Sequence, residues 1–157
     1  MQIKIVKIGK LADQNYSPLA AKFEKRLRAF TKVESVFLKA FEDESRQVKE
    51  LSGKLDLNPK KGEFGKSVSI ALDERGKLLS SPDLAMKIKS YQDDPSIKQL
   101  SFIIGGPFGL PQSVRKQVDL VWSLSPAVVP SDLAWLIVWE QIYRAFSINA
   151  GSSYHHE

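Results

Sequence analysis

Short apolar runs recur along this chain, and longer amphipathic stretches separate them. Residues 3–8 (Ile-Lys-Ile-Val-Lys-Ile) are β-branched and apolar-rich and stop at Gly9, which predicts a first strand. Residues 15–30 then place Leu19, Phe23, Leu27 and Phe30 at helical spacing, with Ser17 as cap and Pro18 in the first turn. A second strand is expected over 33–41. A helix follows over 42–55, with Glu42, Asp43 and Glu44 at its start and Lys54 near its end, the order that suits the helix dipole. Residues 58–66 read as the longest loop.

The third strand is expected over 68–73, broken by the turn-like Glu74-Arg75-Gly76-Lys77. Ser81-Pro82 opens a helix carrying Leu84, Ile88 and Tyr91 on one face, and 92–98 reads as a polar loop. A fourth strand over 100–104 ends at Gly105-Gly106-Pro107-Phe108-Gly109. A short helix over 112–117 and a fifth strand over 120–124 come next. Residues 125–130 (Ser-Pro-Ala-Val-Val-Pro) form a loop so apolar that burial against something is expected. Ser131 is the expected cap of a last helix over 132–149, closed by Gly151. That helix is apolar over much of its circumference, and a subunit interface is the expected reason.

Strands alternating with helices predict an α/β fold with a mostly parallel sheet. The run Phe102-Ile103-Ile104 lacks polar alternation, as a strand covered on both faces does. Glycines at its end permit a sharp turn and close approach of a ligand, which in such sheets binds beyond the strands' carboxyl ends. On spacing alone, an ordinary strand-to-helix turn explains them equally well.

Composition narrows the class. With 157 residues, 43% hydrophobic and 26% charged, the chain is globular and has the size of one domain. It has no cysteine, so disulfides and thiolate metal sites are excluded; no metal is expected. No apolar run reaches membrane-spanning length, and the N-terminus reads straight into a strand, so a cytoplasmic protein is expected. The net charge of +5 suits an anionic partner such as nucleic acid. The polar face of the first helix carries Lys22, Lys25, Arg26 and Arg28. It reads first as a solvated face and second as an RNA contact.

Three segments in order carry a resemblance: residues 102–110 with Gly105-Gly106 and Gly109-Leu110; Trp122-Ser123-Leu124-Ser125; and Glu140-Gln141-x-Tyr143-Arg144-Ala145 followed by Tyr154-His155. Together they resemble the RlmH family, small SPOUT methyltransferases that modify N3 of a pseudouridine in 23S ribosomal RNA of the large subunit. The likeness spans the chain. It implies a single SPOUT methyltransferase domain over 1–157, of the alpha/beta-knot type. That fold has a mostly parallel five- to six-stranded sheet and a C-terminal trefoil knot. It also implies S-adenosylmethionine as cofactor, a homodimer, and the ribosome as partner. Carried over by motif, cofactor contacts fall on Leu72, Gly105, Leu124, Ser125, Pro126, Ala127, Val128 and Val129. The catalytic candidates are His155, Arg144 and Tyr154. The chain departs from the family at Ser131 and Trp135, where His and Arg are usual, and at Ala127-Val128, where Met-Thr is usual.

An imidazole titrates near neutral pH, so His155 or His156 is a candidate base or RNA contact. Arg144 can hold a phosphate or base, or merely pair along its helix. Two other classes stay open: a catalytically degenerate S-adenosylmethionine- or RNA-binding protein of the same fold, and a flavodoxin-like nucleotide-binding module.

Overall fold

The sheet has five strands in the order β2-β1-β4-β3-β5, all parallel. They are β1 (Gln2–Ile8), β2 (Lys32–Leu38), β3 (Lys66–Leu78), β4 (Ile97–Ile104) and β5 (Leu120–Ser123). The structure, a computed structural model, describes residues 1–55 and 66–154. The loop expected over 58–66 therefore lies outside the described residues, apart from Lys66. The helices are α1 (Tyr16–Leu27), α2 (Glu44–Lys54), α3 (Ser81–Asp93), α4 (Gln112–Arg115) and α5 (Ser131–Asn149).

Two cores sandwich the sheet, and the strand period of two sorts residues between them. Ile3, Ile5, Ile70, Leu72, Phe102 and Ile104 pack with α1, α3 and α5. Val6, Ile8, Ala71 and Ile103 pack with Leu51 of α2 and Val114 of α4. Burial on both faces is why these strands read as continuous apolar runs.

Several local expectations are corrected. β3 does not break at residues 74–77 but continues to Leu78, with its pairing to β5 shifting register between Leu72 and Lys77. Gly76 makes that possible: a Cβ there would lie 2.6 Å from the Val121 carbonyl oxygen, so only glycine lets the β5 backbone come this close. β2 ends at Leu38, short of residue 41, because the Phe41 N–H is taken by the Gln47 side chain at 2.9 Å. β4 starts early, at the buried Ile97, and α4 stops at Arg115.

Helix starts also differ. Ser17 does not cap α1, which begins at Tyr16 after Asp13 accepts from the Asn15 N–H at 2.8 Å. Asp43 caps α2, whereas α3 begins at Ser81 as expected, capped by Ser80 in a reciprocal box with Asp83. Ser131 is the first residue of α5 and not its cap. Gly151, at φ +66°, closes α5 as expected, and the Ser152 N–H donates to the Ser147 carbonyl.

The broad apolarity of α5 is largely satisfied within the chain. α1 and α3 pack against it, and Trp135, Val138, Trp139, Ile142 and Phe146 are buried. Trp139 is fully enclosed, so it is core and not an interface residue. The 125–130 loop is not buried in this chain: Val128 is 82% exposed, and Pro126, Ala127 and Pro130 are exposed too.

Candidate functional site

Strands β4 and β5 end at a cleft of about 450 Å³, and β3 runs past it along residues 72–75. Leu72 reaches it from β3, Ile104 and Gly105 from β4, and Trp122 from β5. Leu124, Ser125, Ala127, Val128, Val129, Pro130 and Ser131 form the opposite wall. Every residue expected to touch a cofactor lines this cleft except Pro126.

Glycine chemistry shapes one wall. Gly109 sits at φ +72°, and its N–H closes a turn onto the Gly106 carbonyl at 3.0 Å. A Cβ on Gly105 would lie 2.9 Å from the Gly109 carbonyl carbon, and one on Gly106 would lie 3.0 Å from the Ile8 carbonyl oxygen. A side chain at Gly105 therefore meets the turn itself before it meets any ligand. The facing loop is held by local bonds. The Ser123 hydroxyl donates to the Ser125 carbonyl at 2.9 Å, and the Ser125 hydroxyl accepts from the Ala127 N–H at 3.0 Å.

One charged cluster in the cleft escaped the sequence reading. Asp73, at the end of the expected third strand, accepts two bonds from the Arg75 side chain at 2.8 and 3.0 Å. It also lies 3.5 Å from Arg115 of α4. Burial pushes the Asp73 carboxyl up, but the Arg75 hydrogen bonds and the nearby arginine charges outweigh it and hold it below the ordinary range. The only sequence signal was an acid at a strand end beside an arginine, which a surface turn also shows.

The catalytic candidates lie elsewhere. Arg144 binds Glu140 through two nitrogens at 2.9 and 2.6 Å. Tyr154 packs edge-on against Tyr143, with centroids 4.7 Å apart, and the Arg144 guanidinium lies 4.8 Å from its ring centre. Burial first, and then the Glu140 charge, raise the Tyr154 phenol above its ordinary value. Tyr154 is thus a neutral donor and a stacking ring at working pH, not a base. His155 and His156 lie outside the described residues. From Ser131 to Arg144 the rise along α5 is roughly 20 Å, so one chain does not bring Arg144 and Tyr154 to its own cleft.

Two of the family departures have structural roles here. Trp135 is buried edge-on to Trp139 at 6.3 Å and tilted against Phe37 at 5.6 Å. Ser131 accepts a hydrogen bond from Lys7 at 3.4 Å.

A wholly parallel sheet with its cleft at the carboxyl ends of central strands defines an α/β protein built to hold a ligand there. The order β2-β1-β4-β3-β5 exchanges β3 and β4 relative to the flavodoxin arrangement, which sets that alternative aside. A family model described as "Predicted SPOUT methyltransferase" matches residues 1–155. Two relatives named "Ribosomal RNA large subunit methyltransferase H" align across nearly the whole of both chains. The one from Gloeobacter violaceus is 34% identical over 160 residues, covering 99% of each chain. The one from Lactobacillus acidophilus is 35% identical over 162 residues, again covering 99% of each. A solved structure, "a probable methylase family protein from Haemophilus influenzae Rd KW20", superposes with TM-score 0.58 at 14% identity, over 99% of this chain and 70% of that one. The last likeness shows the fold. The chain belongs to the SPOUT methyltransferase family, and within it to the group of ribosomal RNA large subunit methyltransferase H.

Proposed function

We propose that this chain is a methyltransferase that carries a methyl group from S-adenosylmethionine to N3 of a pseudouridine in large-subunit ribosomal RNA, acting in the cytoplasm on the assembled ribosome. The observation that carries this reading is the cleft. Its apolar walls, Leu72, Ile104, Leu124 and Val129, suit an adenine ring. Gly105 lets the Gly106–Gly109 turn pack tightly against the strand end at the edge of that cleft. S-adenosylmethionine supplies an activated methyl group on a sulfonium. The chain supplies alignment and exclusion of water, because in-line displacement depends on geometry.

The same reading makes the protein a single domain over 1–157 with a knotted C-terminal half, and a homodimer. Two observations support the dimer. Leu19 and Phe30 of the α1 region are 43% and 41% exposed. The Arg144–Tyr154 cluster sits at the end of α5 remote from the cleft, where it can serve a partner's cleft. His155 is then the base candidate for the N3 proton, with Tyr154 as donor or stacking ring and Arg144 as phosphate or base contact. Lys22 and Lys25 are exposed and form no ion pair among the described residues, which supports an RNA-facing α1. Among the described residues no helix is long and apolar enough to cross a membrane, and no group of three or more acidic or histidine side chains is placed to hold a metal.

The test is methylation of ribosomes with labelled S-adenosylmethionine, followed by mass mapping of the large-subunit RNA. Label at N3 of one pseudouridine is the expected result. S-adenosylmethionine binding without transfer to any RNA would leave the degenerate-binder reading in its place.

A further inference from the structure

Lys7 is a lysine in the middle of the sheet, 1% exposed, on the strand between β2 and β4. An ammonium so placed is costly unless it is paired and hydrogen-bonded. Its partner is Asp132, in the first turn of α5, at 2.9 Å. The other Asp132 oxygen is occupied as well, accepting from the Ala12 and Asp13 N–H groups at 2.7 and 3.1 Å. One carboxylate thus ties the end of β1, the segment before α1 and the start of α5. The second contact of Lys7 is the Ser131 hydroxyl at 3.4 Å, and Ser131 lines the cleft.

The direction of that second bond matters. An ammonium only donates, so the Ser131 oxygen is its acceptor. The Ser131 proton must point elsewhere, and among the described residues Ser131 donates no hydrogen bond of its own. We propose that Lys7 is a positioning residue for the cleft: it fixes Ser131 as a hydrogen-bond donor toward an acceptor group of the bound ligand, either a ring nitrogen or a carboxylate oxygen. This rests on the reading of the cleft as the S-adenosylmethionine site. Asp132 makes the arrangement rigid, because it holds Lys7 and the Pro130–Ser131 corner in one frame. Nothing in the chain's sequence pattern announces the device, because Lys7 and Asp132 stand far apart in the sequence.

Calorimetry with S-adenosylmethionine tests it. Ser131→Ala is expected to weaken binding about tenfold, the scale of one lost hydrogen bond backed by a charge. Its melting temperature should fall only slightly, since the Lys7–Asp132 pair is untouched and the Ser131 contact is long. Ser131→Thr, which keeps the hydroxyl, should restore most of the affinity. Lys7→Met should lose at least as much, and adding Ser131→Ala to it should cost nothing more, because the serine is then no longer oriented. If Lys7→Met does not fold, the Ser131→Ala and Ser131→Thr pair decides. Wild-type affinity in folded Ser131→Ala, or losses that multiply in the double variant, overturns the proposal while leaving the cleft assignment intact. No binding by the wild type overturns both.

Discussion

The Tyr154 hydroxyl donates to the Glu140 carboxylate across 3.3 Å, and the oxygen it meets is the one that accepts both Arg144 bonds. Glu140 is therefore the anchor of the C-terminal segment as well as a partner of Arg144. Replacing it with Gln keeps an acceptor but removes the charge that holds both groups. Glu140→Gln should lower stability by about 1 kcal/mol and loosen Tyr154, seen as faster hydrogen exchange after residue 149. Methyl transfer should fall much more than S-adenosylmethionine affinity. Equal losses in both would place Glu140 at the cofactor and not at the tail.

Trp139 gives a test of core against interface. It is fully enclosed within one chain, so Trp139→Ala should cost about 3–5 kcal/mol. Trp139→Glu should fail to fold. A denaturant midpoint unchanged by Trp139→Ala would return this residue to the subunit surface.

Gly76 is a stricter position than its turn-like surroundings suggest. Gly76→Ala forces the β5 backbone away, at about 1–3 kcal/mol for an overpacked site. Because β5 carries Trp122 to the cleft, cofactor binding should weaken together with stability. A variant as stable as wild type with unchanged affinity would show that β5 shifts freely.

Acid should unfold the protein partly through Asp132. Burial raises its carboxyl, but the Lys7 bond and the Ala12 and Asp13 N–H groups outweigh this and set it below the ordinary value. A depressed folded-state value contributes stability that is present above the unfolded value of about 3.9 and is lost as pH falls through the folded one. Asp132→Asn should therefore be less stable than wild type at neutral pH, with a shallower loss on the acid side. Parallel stability–pH curves would remove Asp132 from this role.

Lys22 and Lys25 test the RNA-facing surface. Reversing both to Glu should raise KM for ribosomes and leave S-adenosylmethionine affinity unchanged. Each lost phosphate contact should make the log–log salt slope shallower by about 0.7 to 0.9. An unchanged KM at low salt would return α1 to plain solvation.

Much of the fold was legible because buried parallel strands announce themselves as apolar runs, as 3–8 and 100–104 did. Boundaries were not. Where β2 stops depends on a competing side chain, Gln47, which takes the Phe41 N–H. The 125–130 loop misled for a different reason. Its apolar residues suggest burial, yet Val128 stands open in the single chain. Apolar content says that something should cover a loop, not whether the cover comes from the same chain. In the cleft, Leu72 and Gly105 were found by motif, whereas Asp73 with Arg115 joins positions far apart in sequence that no local pattern connects. Lys7 was invisible for the same reason, since its partner lies at the other end of the chain.

All three tryptophans are buried, yet only Trp122 borders the cleft, while Trp135 and Trp139 lie on α5. Among the described residues their ring N–H groups have no hydrogen-bond partner. The molecule thus carries its own optical gauge. Light absorbed by the α5 pair reports the packing of the helix core, and light absorbed by Trp122 reports the mouth of the cleft. Two variants, one keeping Trp122 alone and one keeping a single α5 indole, would let occupancy and folding be read in separate signals.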